Sequence, residues 1–161
     1  MSFRVFFIAA IFTANVSGVL ADDLLECEKK SMTCDFYSCV EKEIPCGKDG
    51  YFLGFGERFC RRFDNILDKL SPEGKSWFFT ARQCLTENIL SLNNYNNCQE
   101  IEEKSYNDHK PCYINSGYCD LPIRDKVYIM KVISPLLLKK NVLIMGHEIQ
   151  MNCMKQSREM P

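Results

Sequence analysis

The chain has 161 residues, 20 Lys+Arg against 21 Asp+Glu for a formal net charge of −1, and 46% hydrophobic residues. That balance argues against a nucleic-acid binder, which needs a basic surface to release phosphate counterions, and it gives no polybasic handle for an anionic membrane. The length and composition fit one globular domain, and 10 cysteines beside 2 histidines point to disulfides rather than a His-rich metal site.

In chain order, Met1 to Ala21 reads as a secretory signal peptide. Arg4 supplies the positive start, Val5 to Phe12 (VFFIAAIF) the apolar run, and Val19-Leu20-Ala21 the side chains a signal peptidase reads. The run is too short to cross a bilayer at about 1.5 Å per residue. The most apolar later stretch, Val127 to Ile149, is interrupted by Lys131, Lys139, Lys140, His147 and Glu148. Cleavage is expected after Ala21, leaving residues 22–161 as one secreted domain with no membrane span.

All ten cysteines come after that cut: Cys27, Cys34, Cys39, Cys46, Cys60, Cys84, Cys98, Cys112, Cys119 and Cys153. In an oxidising compartment an even set reads as a disulfide framework, each bridge worth about 2–4 kcal/mol. Zinc would need reduced thiolates at short paired spacings, and the sequence has no C-x-x-C. Spacing leaves the connectivity open, since eight cysteines allow 105 pairings and ten about 945.

Residues 22–49 hold four of the cysteines and read as a tightly stapled N-terminal knot with one short helix, closed by the Gly47 to Gly50 (GKDG) turn. Phe52, Phe55, Phe59, Phe63, Leu67 and Leu70 then recur at steps of three and four, one stripe of an amphipathic helix whose first turn Gly54 and Gly56 weaken. A core face, rather than a lipid groove, is the expected use of this stripe.

Ser71-Pro72-Glu73 is an N-cap, a proline at the first helical position and an acid in the first turn. The helix it opens should reach Leu92 on the stripe Phe78, Ala81, Leu85, Ile89 and Leu92, with Trp77 in the core. Asn93 to Asn97 (NNYNN) should stop it. A charged helix should cover Cys98 to Asn107, with Pro111 and Asn115-Ser116-Gly117 breaking the next stretch. Asp120 is the candidate cap of a helix from Pro122 toward Ser134. Leu136 to Ile149 reads as a final apolar helix whose Met-rich end (Met145, Met151, Met154) offers either an adaptable binding face or, the preferred reading, core packing with fraying. The expected fold class is all-α, a disulfide-stapled helical domain with a cysteine-dense N-terminal knot.

No catalytic constellation stands out. Asp108-His109 before Cys112-Tyr113 invites comparison with secreted phospholipases A2. The order is reversed, no cysteine doublet precedes the pair, and no glycine-rich calcium loop lies upstream. Adjacent side chains on a helix point about 100° apart, so the carboxylate cannot orient that imidazole as a general base. His109 therefore reads as a surface histidine. There is no G-x-S-x-G elbow and no H-E-x-x-H, and Gly47 to Gly50 has too few acids for an EF-hand. No catalytic, cofactor-binding or metal-binding residue is expected. The sequon Asn15-Val16-Ser17 falls inside the signal peptide, and Asn96-Asn97-Cys98 is the rare cysteine variant, so little N-glycan is expected.

The ladder of cysteines resembles that of the stanniocalcins, secreted helical glycoprotein hormones. Cys34 to Cys39 (CDFYSC) is a C-x4-C block with an aromatic in the fourth position, and Cys60 to Cys84 has the family's interval. Within it, Gly74-Lys75-Ser76-Trp77-Phe78 resembles the family's Gly-Lys-small-aromatic-apolar run, and Asp49-Gly50-Tyr51 resembles its Asp-Gly turn before the first long helix. Cys98 to Cys112, Cys112 to Cys119 (with Tyr113) and Cys119 to Cys153 keep or nearly keep the family's spacings. The resemblance spans residues 27–153. It implies the bridges Cys27–Cys39, Cys34–Cys60, Cys46–Cys98, Cys84–Cys112 and Cys119–Cys153.

Three departures stand beside it. The segment between Cys46 and Cys60 is longer than in vertebrate members. Val40 to Pro45 (VEKEIP) lacks the family's sequon. Vertebrate members also carry a further cysteine that links two subunits, so a monomer or a non-covalent homodimer is expected here. The resemblance implies a secreted, non-enzymatic regulator: hormone-like control of calcium and phosphate, or inhibition of an extracellular metalloproteinase. The alternatives are a binding or effector module on the same scaffold and a small phospholipase-like hydrolase. The expected partner is an extracellular protein, a receptor or a secreted protease. The charged stretch Glu100 to Lys104 and the Cys84 to Asn97 segment are the candidate surfaces.

Overall fold

The computed structural model describes residues 24–92 and 97–159. The signal-peptide reading over Met1 to Ala21 and the asparagine stop at positions 93–96 lie outside them. The described residues are helical and hold no strand. A short helical run over residues 24–28 leads to α1 (Asp35–Glu43). A π-helical segment (Tyr51–Glu57) continues directly into α2 (Arg58–Asp64). Then come α3 (Pro72–Leu90), α4 (Cys98–Asn115), α5 (Ile123–Ile133) and α6 (Lys140–Glu159), with 3-10 turns at Leu67–Lys69, Tyr118–Asp120 and Ser134–Leu136.

The single helix expected over Phe52 to Leu70 is instead three pieces. Its opening is a wider π-helical turn, which buries Tyr51 and Phe52 together at 2% and 0% exposure although they are sequence neighbours. Gly56 permits this, because a Cβ there would stand 2.3 Å from the Tyr37 ring. The α-helix ends at Asp64, and Leu67 and Leu70 lie in a tighter turn beyond it.

α3 begins as its cap signal dictates. The Ser71 side chain accepts the Gly74 N–H at 3.1 Å, Pro72 occupies the first turn and Glu73 comes next. Such a cap is worth about 1 kcal/mol. The buried face carries Trp77, Phe78, Ala81, Leu85 and Ile89, and the Trp77 indole donates to the Tyr113 carbonyl at 3.2 Å.

α4 corrects the sequence reading. It runs through Pro111 to Asn115, although an interior proline removes one backbone bond and costs about 3 kcal/mol. The residues just past the proline are pinned to α3, Cys112 through its bridge to Cys84 and Tyr113 through Trp77. That anchoring offsets the local penalty. The helix stops where Gly117 takes φ 95°, a left-handed conformation that glycine adopts without strain.

Asp120 does not cap α5. It sits exposed in the Tyr118–Asp120 turn, and Pro122 holds the cap position, its carbonyl accepting from the Asp125 and Lys126 N–H groups at 3.0 and 3.1 Å. The final helix starts at Lys140 rather than Leu136, because Pro135 is taken up in a 3-10 turn that buries Leu136. It continues ten residues beyond Ile149. Val142, Ile149 and Cys153 are buried and Met145 packs against the core, whereas Met151 and Met154 are exposed at 50% and 39%. The core packing expected of the Met-rich end therefore holds for Met145 only.

Among the described residues two apolar clusters form the interior. One gathers Phe36, Val40, Tyr51, Phe52, Ile89 and Ile101 around Cys27, Cys34 and Cys60. The other gathers Phe59, Phe63, Trp77, Phe78, Ile129 and Val132 with Val142 of α6. Phe55 packs against both. The aromatic stripe is core, each fully buried Phe side chain contributing roughly 1.5–3 kcal/mol.

Candidate functional site

The ten cysteines meet as Cys27–Cys39, Cys34–Cys60, Cys46–Cys98, Cys84–Cys112 and Cys119–Cys153, with Cα atoms 5.0 to 5.6 Å apart and none left free. The first four cysteines do not staple one another as a closed knot. Only Cys27–Cys39 is internal to that stretch. Cys34 ties it to α2 and Cys46 to the start of α4. The remaining bridges clamp α3 to α4 and the Tyr118–Asp120 turn to α6.

His109 is a core residue, which overturns its reading as a surface histidine. It is 4% exposed and ringed by Tyr51, Phe55, Tyr106 and Tyr113 at 5.4 to 6.4 Å between ring centres. Its Nδ1 lies 2.6 Å from the Ser105 carbonyl. A carbonyl only accepts, so Nδ1 carries the proton and Nε2 stays bare. Burial pushes the imidazole down to about 4. Asp108 faces away, engaged by Lys104 at 3.0 Å. The α4 turn thus supports His109 as packing and separates it from the neighbouring carboxylate.

Two buried charges escaped the sequence reading. Arg82, 6% exposed, donates to the Met32 carbonyl at 2.8 Å and pairs with the Asp64 carboxylate. Its guanidinium also lies over the Phe78 ring, 4.3 Å from the centroid. The pair fastens the end of α2 to α3, and the Met32 bond fastens the loop before α1 to the same guanidinium. Cys34, Cys60 and Asp64 bring ligand-type atoms within 4.8 Å of one another, but the two sulfurs are bonded to each other and offer no thiolate to a metal. Asp125 is fully buried and accepts from the Ser71 N–H at 3.2 Å and from the Ser71 hydroxyl. It thereby braces the α3 cap from α5. Both had a sequence signal. Arg82 lies one helical turn beyond Phe78 on the buried stripe, and Asp125 heads the stripe Ile129, Val132 and Leu136.

A cavity of about 50 Å³ lies at the junction of the aromatic clusters, lined in part by Tyr37, Phe55, Trp77, Arg82 and His109. The larger concavities are on the surface along α4 and α6. One of about 270 Å³ runs between the helices past Glu103, Tyr106, Lys110 and Ile144, and one of about 640 Å³ lies over Lys110, Met151, Met154 and Arg158. The Lys110–Glu148 ion pair, 2.8 Å, lines both. Of the sequence-selected surfaces, Glu100, Glu103 and Lys104 are exposed while Ile101 faces the core, so this stretch presents one charged edge of α4. Within Cys84 to Asn97, Leu85, Thr86, Ile89 and Leu92 are buried, so that segment exposes only a narrow outer edge among its described residues.

Among the described residues no helix is long and apolar enough to cross a membrane. No protein-family profile, no curated protein and no solved structure matches the chain.

Proposed function

We propose that this protein is a secreted, non-enzymatic regulator of stanniocalcin type that acts by binding an extracellular protein, a receptor or a secreted metalloproteinase. The disulfide pairing carries this reading. Of about 945 ways to join ten cysteines, the five bridges of the fold are the ones the stanniocalcin resemblance implies. Five bridges in a small helical domain also suit an oxidising, extracellular compartment. The burial of His109, the residue that invited the phospholipase comparison, favours binding over hydrolysis.

Peptide mass spectrometry of the secreted, unreduced protein tests the reading, with an intact mass on the same sample. The expected result is these five pairs at monomer mass. Any other pairing, or free thiols, removes the scaffold assignment and the functional reading with it. With the scaffold in hand, the oxidised protein is expected to bind saturably to one extracellular protein, and reduction should abolish that binding. Calcium-dependent phospholipid hydrolysis by the purified protein would replace this function with an enzymatic one.

A further inference from the structure

We infer that the outer face of α6, with Leu138 just ahead of it, docks on an anionic lipid surface. The inference is independent of the scaffold assignment.

α6 is held to the rest of the fold by a narrow seam. Val142, Ile149 and Cys153 are buried and Met145 is half-buried beside them. At about 100° per residue, Leu143, His147, Met151 and Met154 fall on the opposite side, with Ile144 next to them. Leu143 is 53% exposed, Ile144 47% and Leu138 96%. A surface helix ordinarily opposes its apolar stripe with polar residues. This one is apolar on both sides, and an exposed apolar patch on a helix marks a surface that meets something.

Charge identifies the occupant. Lys139 and Lys140 stand at one end of the face, Lys155 and Arg158 at the other. From Pro122 onward the chain carries seven cations against three acids, although its overall charge is −1. Of those acids, Asp125 is buried against Ser71 and Glu148 is held by Lys110. A second copy of α6 laid on this face would set cation against cation whether parallel or antiparallel. Protein interfaces favour aromatic residues, methionine and arginine and disfavour lysine; this face has methionines but no Phe, Tyr or Trp, and lysines stand at its rim. Lysine stems can lie along apolar surface with their ammonium groups at the phosphates. Apolar burial and attraction to anionic headgroups then act together, as in helices that lie in the membrane plane. α6 is too polar to span, and about 27 Å of it, from Lys140 to Arg158, is available to lie flat.

Vesicle flotation of the full, oxidised protein tests this. Binding to phosphatidylcholine vesicles containing about a third phosphatidylserine should be at least about tenfold tighter than to phosphatidylcholine alone in about 0.1 M salt, and should weaken at about 0.5 M. Leu143→Glu with Met151→Glu, and separately Lys139→Glu with Lys140→Glu, should each lower it by about tenfold or more. All four residues are exposed, so helix content by circular dichroism and the five bridges should be retained. Leu25→Glu, at an exposed site elsewhere, should change nothing. Equal binding to both vesicle types, or binding that survives the two double substitutions, overturns the inference. So does a dimer that Leu143→Glu with Met151→Glu dissolves, since a second copy would then cover the face. Absence of vesicle binding also overturns it and leaves the face to a protein partner.

Discussion

A Cβ placed on Gly74 would stand 2.3 Å from Oδ2 of Asp125. The first turn of α3 can therefore approach the buried carboxylate of α5 only because residue 74 has no side chain. At that closeness Asp125 receives the N–H and the hydroxyl of Ser71, and the Ser71 oxygen in turn accepts the Gly74 N–H. One acid thus joins α5 to the cap of α3.

Gly74→Ala is expected to destabilise the fold by about 2 kcal/mol, because Asp125 is buried and can retreat only by loosening the Ser71 bonds. Gly146 is the control. A Cβ there meets nothing within 4 Å, and it lies inside α6. Gly146→Ala should stabilise by about 0.5–1 kcal/mol. Urea unfolding of both variants checks the pair, and equal effects of either sign would refute the close-approach argument.

His109 gives the fold an acid sensitivity. Its folded value is pushed down to about 4 from 6.5, so below pH 6.5 the unfolded chain takes up a proton that the folded chain refuses. The stability it supports is whole above about pH 6.5 and is lost as pH falls toward 4, by about 3 kcal/mol in all. His109→Phe keeps an aromatic ring without the titration. Its stability should fall less steeply between those pH values than the parent's, as read by thermal melts at matched salt.

The bridges should differ in worth. In the chain-entropy account, removing Cys46–Cys98, which closes a separation of 52 residues, costs about 4 kcal/mol. Removing Cys27–Cys39, which closes 12, costs about 3 kcal/mol. Paired Cys→Ser variants compared by chemical denaturation test the order. A larger loss from the shorter loop would mean that Cys27–Cys39 acts through packing, for Cys27 is fully buried.

Arg82→Met should cost about 2 kcal/mol, less than the 3–5 typical of breaking a fully buried ion pair. The Asp64 side chain is 41% exposed, so water can take over its charge once the guanidinium is gone. Arg82→Lys should not restore the loss, because an ammonium cannot reach the Met32 carbonyl, the Asp64 carboxylate and the Phe78 ring with one planar group. Full recovery in the lysine variant would argue against that three-way contact.

Much of the helical order was legible because its causes are local. Ser71-Pro72-Glu73 starts α3 through its own backbone and side chain, and Gly117 ends α4 through its own φ. Sequence and fold part where a remote contact outweighs a local preference. Pro111 should have ended α4, but Cys84 and Trp77 hold the residues beyond it. Gly56 should only have weakened a helix, but the Tyr37 ring packs where its Cβ would stand, and the segment is π-helical. His109 reads as surface from its polar neighbours, and its burial depends on aromatic rings from the π-helical segment closing over α4.

By itself the sequence determined the helical class, the cap of α3, the apolar stripes and an even set of cysteines, since periodicity, caps and counts are properties of neighbouring residues. Only the tertiary structure decided which residues beyond that local order meet. It placed Asp125 under Ser71, Arg82 across to Asp64, and apolar residues of α6 on both its faces. Those outcomes depend on distances between segments far apart in the chain, and packing, rather than local preference, sets such distances.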